Sequence, residues 1–379
     1  MTDLQPIIPA DLGMDDPQIL CDNLVVKYTW AQDMANCVQN EEWHSEGDVM
    51  THTRMVLEQM FSSPEFKDLS SQNKEIMKAA VLLHDVAKPP CTVEDEGYLS
   101  SKGHAVLGAK MARLILSDAL GPEHRETVVS LVRNHMFPIF FMEREDPEYS
   151  IISMSFKSDN KLLAILAEAD TKGRMAKTES DSSDRVSLFR DVCGELGCLG
   201  APFSFDNDHG RVVYFANPGK YDPRYCAYDS TSFEVTMMCG LPGAGKDTWL
   251  RAHGDPVAAI SLDDIRAEEG ISPTDNQGEV INEATERAKD LLRAKEPFIF
   301  NATNVVLSTR QRWESLFMRY GARVRIKLVD APLSVLLHRN EHFHRGIPEN
   351  VIKNLFWKFD TPNLLECHSL DRTEPVDIP

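Results

Sequence analysis

The sequence predicts two domains of different class: an all-helical N-terminal half, then an α/β half built on a parallel sheet. Three observations carry this. A chain of 379 residues with 42% hydrophobic content is long enough for two cores. From Leu20 to about Arg190, apolar residues recur at three- and four-residue spacing. Polar or turn-forming breaks interrupt them at Ser62-Ser63-Pro64, Pro89-Pro90, Gly121-Pro122 and Asp146-Pro147, the pattern of successive amphipathic helices. After Ser232, β-rich apolar segments alternate with helical ones, with strands expected at 233–239, 257–262, 298–302 and 324–329, and such alternation indicates a parallel sheet flanked by helices. Between the halves the composition shifts to Gly, Pro, Asn, Asp and Tyr, and one strand is expected at 211–215. The expected division is therefore 1–190, a connector at 191–232, and 233–379.

The formal charge of −19 argues against a broad, sequence-independent grip on duplex phosphates, because clustered Lys and Arg normally supply that grip. A nucleic-acid partner would be held locally, at an end. The eight cysteines show no C-x-x-C spacing, and the first residues, Met1-Thr-Asp-Leu-Gln-Pro, have neither a basic nor an apolar leader region. A reduced, cytoplasmic protein is expected, with no membrane role, since no uncharged apolar run approaches the roughly 20 residues of a spanning helix.

In the helical half, His52, His84, His104, His135 and Asp170 each share a helix face with apolar residues, His52 with Val49 and Val56, for example, and Asp170 with Leu166 and Ala167, and Asp85 adjoins His84. Any one such histidine is more often an ordinary hydrogen-bonded residue than a ligand. Six inward-facing donors together reverse that balance: burying them is costly, and a divalent cation that wants mixed nitrogen and oxygen ligands offsets the cost. Nitrogen-rich ligation favours Mn, Fe, Co, Ni or Zn over Mg. Lys88 and His44 flank these donors, either as phosphate contacts or as ordinary solvated side chains.

The stretches Glu42-Trp-His-Ser-Glu-Gly-Asp-Val-Met-Thr-His-Thr53, Leu83-His-Asp-Val-Ala-Lys-Pro89, Gly103-His-Ala-Val-Leu-Gly-Ala109 and Ala169-Asp-Thr-Lys-Gly-Arg174 resemble the HD phosphohydrolase superfamily, especially the HD domain of bacterial tRNA nucleotidyltransferases. The resemblance implies two metals. One would take His52, His84, Asp85 and Asp170; the other would share Asp85 and add His104 and His135.

In the second half, the buried-strand pattern Phe233-Glu-Val-Thr-Met-Met-Cys239 leads into Gly240-Leu-Pro-Gly-Ala-Gly-Lys-Asp-Thr248 and then a helix start. Strand, glycine loop and helix in that order make a phosphate cradle: Gly240, Gly243 and Gly245 let backbone N–H groups curl around phosphate oxygens, and Lys246 reaches the β and γ positions. An NTP such as ATP, with Mg²⁺, is the expected ligand. The usual Ser or Thr after the lysine is replaced by Asp247, with Thr248 one place later, so the manner of holding Mg²⁺ stays open. The segment Ser261-Leu-Asp-Asp-Ile-Arg266, with the loop, resembles the bacteriophage polynucleotide 5′-kinase family. There Asp263 would be the base for a 5′-hydroxyl and Arg266 the anchor of the neighbouring phosphate, although either aspartate also suits a helix cap. In the same resemblance Thr303 and Asn304 would lie on the acceptor side, and Arg339 and Arg345 would belong to a lid that leans on the transferring phosphoryl group.

In their order along the chain, the halves resemble the bacterial HD-Pnk family of RNA end-healing enzymes. The resemblance implies removal of 2′,3′-cyclic, 2′- or 3′-phosphates by the first half, phosphorylation of a 5′-OH of RNA or DNA by the second, and an RNA ligase acting downstream. Two rivals remain: an enzyme of nucleotide metabolism, with a nucleotide phosphohydrolase and a small-molecule kinase, and a regulatory module that senses ATP.

Overall fold

The computed structural model describes residues 4–177, 181–253, 257–272, 275–342 and 347–373. The chain divides into two compact units, Met1–Ser204 and Phe205–Pro379. The helix Ser182–Glu195 runs through the expected boundary at 190/191, and the segment 191–232 is shared between the units.

The first unit is helical, and polar side chains start its helices where the sequence breaks. Asp16, Asp48, Ser70, Asp146 and Asp159 each accept a hydrogen bond from a backbone N–H of the following first turn, which satisfies a donor that would otherwise lack a partner. Five helices set up the site: Val49–Ser62, Ser71–Leu83, His104–Ile115, Pro122–Asn134 and Asn160–Lys172. Their inward faces form a core that includes Val56, Leu57, Ala80, Leu83, Ala112, Leu131, Val132, Leu166 and Ala167, all nearly inaccessible to solvent. The last of these helices crosses the first very closely: a Cβ on Gly173 would sit 2.7 Å from the backbone of Val56. Only glycine permits this approach, which brings Asp170 beside His52.

One element of this unit departs from the helical expectation. A small antiparallel hairpin, β1 (Val93–Asp95) and β2 (Tyr98–Ser100), turns through Glu96 and Gly97, both at positive φ (48° and 80°), the conformation demanded by a tight two-residue hairpin turn. Because β1 is exposed throughout, the hairpin carries no apolar alternation for a sequence reading to find.

The second unit is a five-stranded sheet of order β4-β5-β3-β6-β7, with every neighbouring pair parallel. Its strands are β3 (Phe233–Cys239), β4 (Ala258–Ser261), β5 (Phe298–Asn301), β6 (Ala322–Val329) and β7 (Ser369–Thr373). The first four lie where the sequence places them. β7 was not anticipated, because Ser-Leu-Asp-Arg-Thr lacks an apolar pattern; as an edge strand it is recruited by backbone pairing to β6. The strand expected at 211–215 is instead part of the helix Asp208–Ala216. Its β-branched and aromatic residues favour a strand, but Asn207 caps the helix by accepting from Gly210 N at 2.6 Å. The buried Arg211 guanidinium is also bound to the carbonyls of Leu364, Cys367 and His368, and these tertiary bonds outweigh the local propensity.

Candidate active sites

In the helical unit the structure brings all six sequence-predicted donors together around Asp85. His52, His84, Asp85, His135 and Asp170 are each no more than 2% exposed, and His104 is partly exposed at the rim. Asp85 divides its two oxygens. Oδ2 faces His84 Nε2 (3.2 Å) and His52 Nε2 (3.7 Å), while Oδ1 faces His104 Nε2 (3.4 Å) and His135 Nε2 (4.0 Å). Asp170 Oδ1 completes the first group at 3.1 Å from His52 Nε2. Within each of the two sets, His52/His84/Asp170 and Asp85/His104/His135, the ligand atoms lie within 4.8 Å of one another.

Local helix geometry sets the ring orientations. His84 and His135 each follow the last residue of a helix and bond through Nδ1 to the carbonyl three residues earlier, Val81 O (2.7 Å) and Val132 O (2.8 Å); His104, at the start of its helix, does the same with Ser101 O (2.8 Å). A carbonyl only accepts, so Nδ1 carries the proton and the Nε2 lone pair points to the centre, as metal ligation requires. His52 is oriented differently, with Nδ1 at 2.9 Å from Glu46 Oε1, an oxygen that also bonds His44 Nδ1 at 2.8 Å.

The electrostatics match this layout. Burial opposes ionisation of Asp85, yet the neighbouring His84 and Lys88 hold its carboxyl well below the usual carboxylate range. Asp170 is likewise held down against burial, chiefly by Arg174, which reaches both of its oxygens at 3.1 Å. Burial keeps His135 neutral, with a pKa lowered to about 3, and lowers His44 to about 4. At His84 burial disfavours the charged ring, but the Asp85 and Asp170 carboxylates prevail and raise its pKa. The residues fit a cation: His84 Nε2 and Asp85 Oδ1 are buried with no hydrogen-bond partner, a costly arrangement in a protein interior unless a metal satisfies it.

Lys88 and His44 sit at the same centre. Lys88 Nζ is 2.7 Å from Asp85 Oδ2, 2.6 Å from Gln39 Oε1 and 3.5 Å from His44 Nε2. Sequence reasoning did not assign Glu46, Gln39 or Arg174. Glu46 lies in a turn and Gln39 in the irregular chain after the Val38–Asp48 bridge, neither with periodicity; Arg174 had a usable signal, four residues after Asp170.

In the second unit, the loop after β3, the segment after β4 and the end of β5 lie at the C-terminal end of the parallel strands, with β3 at the centre between β5 and β6. The order in which strands are added changes sides there, β4 and β5 lying on one side of β3 and β6 and β7 on the other, the usual place for a ligand in an open parallel sheet. A Cβ at Gly240 would collide with the Val329 carbonyl, and Gly243 has φ +82°, so glycine is needed at both. Lys246 opens the helix Lys246–His253, and its Nζ donates to Gly240 O (2.9 Å) and Leu241 O (3.1 Å). Asp247 Oδ1 accepts from Asn301 Nδ2 at 3.1 Å, and Thr248 Oγ1 accepts from Arg251 at 3.2 Å.

Asp263 is exposed and ion-paired to Arg266, which also donates to Gln277 Oε1 at 2.7 Å. Neither Asp263 nor Asp264 caps the following helix; Ser261 does, its Oγ accepting from Asp264 N. Thr303 contributes its carbonyl to Gly240 N (2.9 Å). Asn304, at φ +48° and 3% exposed, donates its amide to Met238 O at 2.8 Å and so ties strand ends together. Arg339, on the helix Leu333–His342, donates to Gly243 O (3.2 Å) and Ala244 O (3.4 Å), directly against the phosphate loop. Arg345 lies outside the described residues.

Among known families, a model of the HD domain matches residues 48–170 and a model of the AAA domain matches residues 235–353. The L-seryl-tRNA(Sec) kinase of Methanococcus maripaludis is 29% identical over 155 residues, which is 38% of this chain and 61% of that protein; the chain thus spans less than two thirds of this relative's length. Two solved structures share 18% identity over 38% of this chain: a kinase candidate from Chloroflexus aurantiacus (86% of that chain, TM-score 0.33) and a gluconokinase from Sinorhizobium meliloti (84%, TM-score 0.30). The chain joins a helical HD domain to an α/β P-loop kinase-like domain. No helix among the described residues is long and apolar enough to cross a membrane.

Proposed function

We propose that the protein repairs broken nucleic-acid ends: the helical unit removes 2′,3′-cyclic, 2′- or 3′-phosphates, and the P-loop unit transfers the γ-phosphoryl group of an NTP to a 5′-hydroxyl. The observation that carries the hydrolytic half is the division of Asp85, one carboxylate oxygen to each of two ligand groups. His52, His84, Asp85 and Asp170 would hold one divalent cation and Asp85, His104 and His135 a second. Such a pair, when bound, supplies an activated water and neutralises charge growing on a phosphoryl oxygen. Lys88, 2.7 Å from Asp85 Oδ2, would meet a non-bridging phosphate oxygen. Arg174 fixes Asp170, and Glu46 fixes His44 and His52.

In the P-loop unit, Lys246 exchanges its two carbonyl bonds for oxygens of the NTP. Arg339 reaches the transferring group from the neighbouring helix, adding positive charge where the transition state is most negative. Arg266 moves from Asp263 to the phosphate adjoining the acceptor, which frees Asp263 to take the hydroxyl proton. The similar Methanococcus maripaludis protein is named as an L-seryl-tRNA(Sec) kinase, and this supports an acceptor hydroxyl carried on nucleic acid here. The net charge of −19 favours the rival, in which free nucleotides and small metabolites are the substrates.

The test is an RNA oligonucleotide with a 5′-OH and a 2′,3′-cyclic phosphate, incubated with ATP and Mg²⁺ or Mn²⁺. Conversion of both ends, to 5′-phosphate and to 2′,3′-hydroxyls, is expected. Untouched ends together with turnover of mononucleotides would establish the rival and remove end repair, along with the ligase expected to act on its product.

A further inference from the structure

We propose that Asp247 and Asn301 form the seat of the divalent cation that accompanies the NTP, a carboxylate taking the part a hydroxyl usually plays after the P-loop lysine. The inference rests on the reading of residues 240–248 as an NTP cradle. Asp247 lies in the first turn of the helix Lys246–His253, half-buried, with Oδ1 3.1 Å from Asn301 Nδ2. That contact fixes the amide's orientation, because turning the oxygen of Asn301 to the carboxylate would set two acceptors against each other. Asn301 is 5% exposed, and its Oδ1 is buried without a hydrogen-bond partner. A carboxylate and a buried amide whose oxygen has no partner are therefore neighbours at the C-terminal end of β5, the carboxylate one residue from the lysine of the phosphate loop. Oxygen donors of this kind suit Mg²⁺, which binds through one or two protein oxygens and completes its shell with phosphates and water. Thr248, one place later, accepts at Oγ1 from Arg251 at 3.2 Å.

The exchange of hydroxyl for carboxylate has a consequence for binding. A neutral hydroxyl tolerates a cation-free triphosphate, whereas a carboxylate beside the β and γ oxygens repels it until a cation stands between them. Nucleotide and cation should thus bind with strong mutual dependence.

The measurement is ATP binding to the full chain by calorimetry, in Mg²⁺ and in EDTA, for wild type, D247S and D247N. Wild type should bind ATP well only with Mg²⁺. Both variants should bind ATP in EDTA at least about tenfold tighter than wild type, narrowing the ratio between the two conditions. Equal binding by wild type in Mg²⁺ and EDTA, or cation-free binding unchanged by D247S and D247N, would overturn the cation seat while leaving the NTP cradle intact. Absence of ATP binding in every condition would overturn the cradle and the seat together.

Discussion

The two sites place the same kind of chemistry on opposite kinds of support. In the HD unit the donors come from five helices, their rings are fixed by backbone carbonyls and Glu46, and all but His104 are buried. In the P-loop unit the corresponding groups are half-buried or exposed and turned onto the protein itself: Lys246 onto loop carbonyls, Asp263 onto Arg266, Arg339 onto the loop backbone. A metal centre must be organised before its substrate arrives, because several buried donors without a cation destabilise the fold. A phosphoryl-transfer site can instead be completed by its nucleotide, whose charge draws the cations out of their resting bonds. Sensitivity to substitution should differ accordingly.

Among graded losses the largest is expected at Asp263, the base proposed for the kinase reaction. Changing Asp263 to Ala should lower 5′-phosphorylation by about 10²–10⁴-fold, the usual contribution of a general base, with ATP affinity nearly unchanged; steady-state kinetics with a 5′-OH oligonucleotide checks this, and unaltered turnover would remove Asp263 from the reaction. In the organised site, a residue that touches no phosphate should also matter. Glu46→Gln leaves the shape in place but loosens the hold on His52 and His44, and a loss of about 10- to 100-fold in metal affinity or hydrolysis is expected. Metal titration followed by hydrolysis assays measures it, and kinase activity should stay at the wild-type level.

Chelation sharpens the contrast in stability. Saturation with metal at about a hundredfold over its dissociation constant should stabilise the HD unit by about 2.7 kcal/mol. EDTA should therefore lower the unfolding transition of that unit and leave the P-loop unit's own transition in place, as read by calorimetry; equal shifts in both would mean that the metal is not confined to the HD cluster. The smallest effect belongs to the core of the P-loop unit. Burial, with Glu366 alongside, raises the pKa of Glu314, whereas Arg310 grips Glu366 through both oxygens at 2.7 and 3.0 Å. The folded state thus holds a proton on Glu314 that the unfolded chain releases above its ordinary glutamate pKa of about 4.3. This contribution to stability is complete below that value and is lost as pH rises toward the raised pKa. Glu314→Gln should flatten the alkaline decline in denaturant-unfolding curves, and an unchanged slope would contradict the assignment.

The same contrast governed what could be read from the sequence. Donors of the HD unit were legible because they lie in, or directly after, helical apolar patterns, where a buried His stands out, and Asp85 adjoins one of them. Their supports were not: Glu46 lies in a turn, and its role depends on Met175 N and His44 converging on it. In the P-loop unit the loop and four strands were legible from residue types, β3 to the residue. The helix Asp208–Ala216 and strand β7 were not, because buried side-chain bonds of Arg211 and backbone pairing to β6 decide them, and neither leaves a local pattern. Asn304 shows the same limit: the motif marks the residue, but its bond to Met238 O follows only from the packed strands.

If two chemically independent sites divide the work, Asp85→Ala and Lys246→Ala will separate them on one RNA bearing a 5′-OH and a 2′,3′-cyclic phosphate, with both ends analysed in the same reaction. D85A should phosphorylate the 5′ end and leave the cyclic phosphate, and K246A should do the reverse. Loss of both activities in either folded variant would contradict that division.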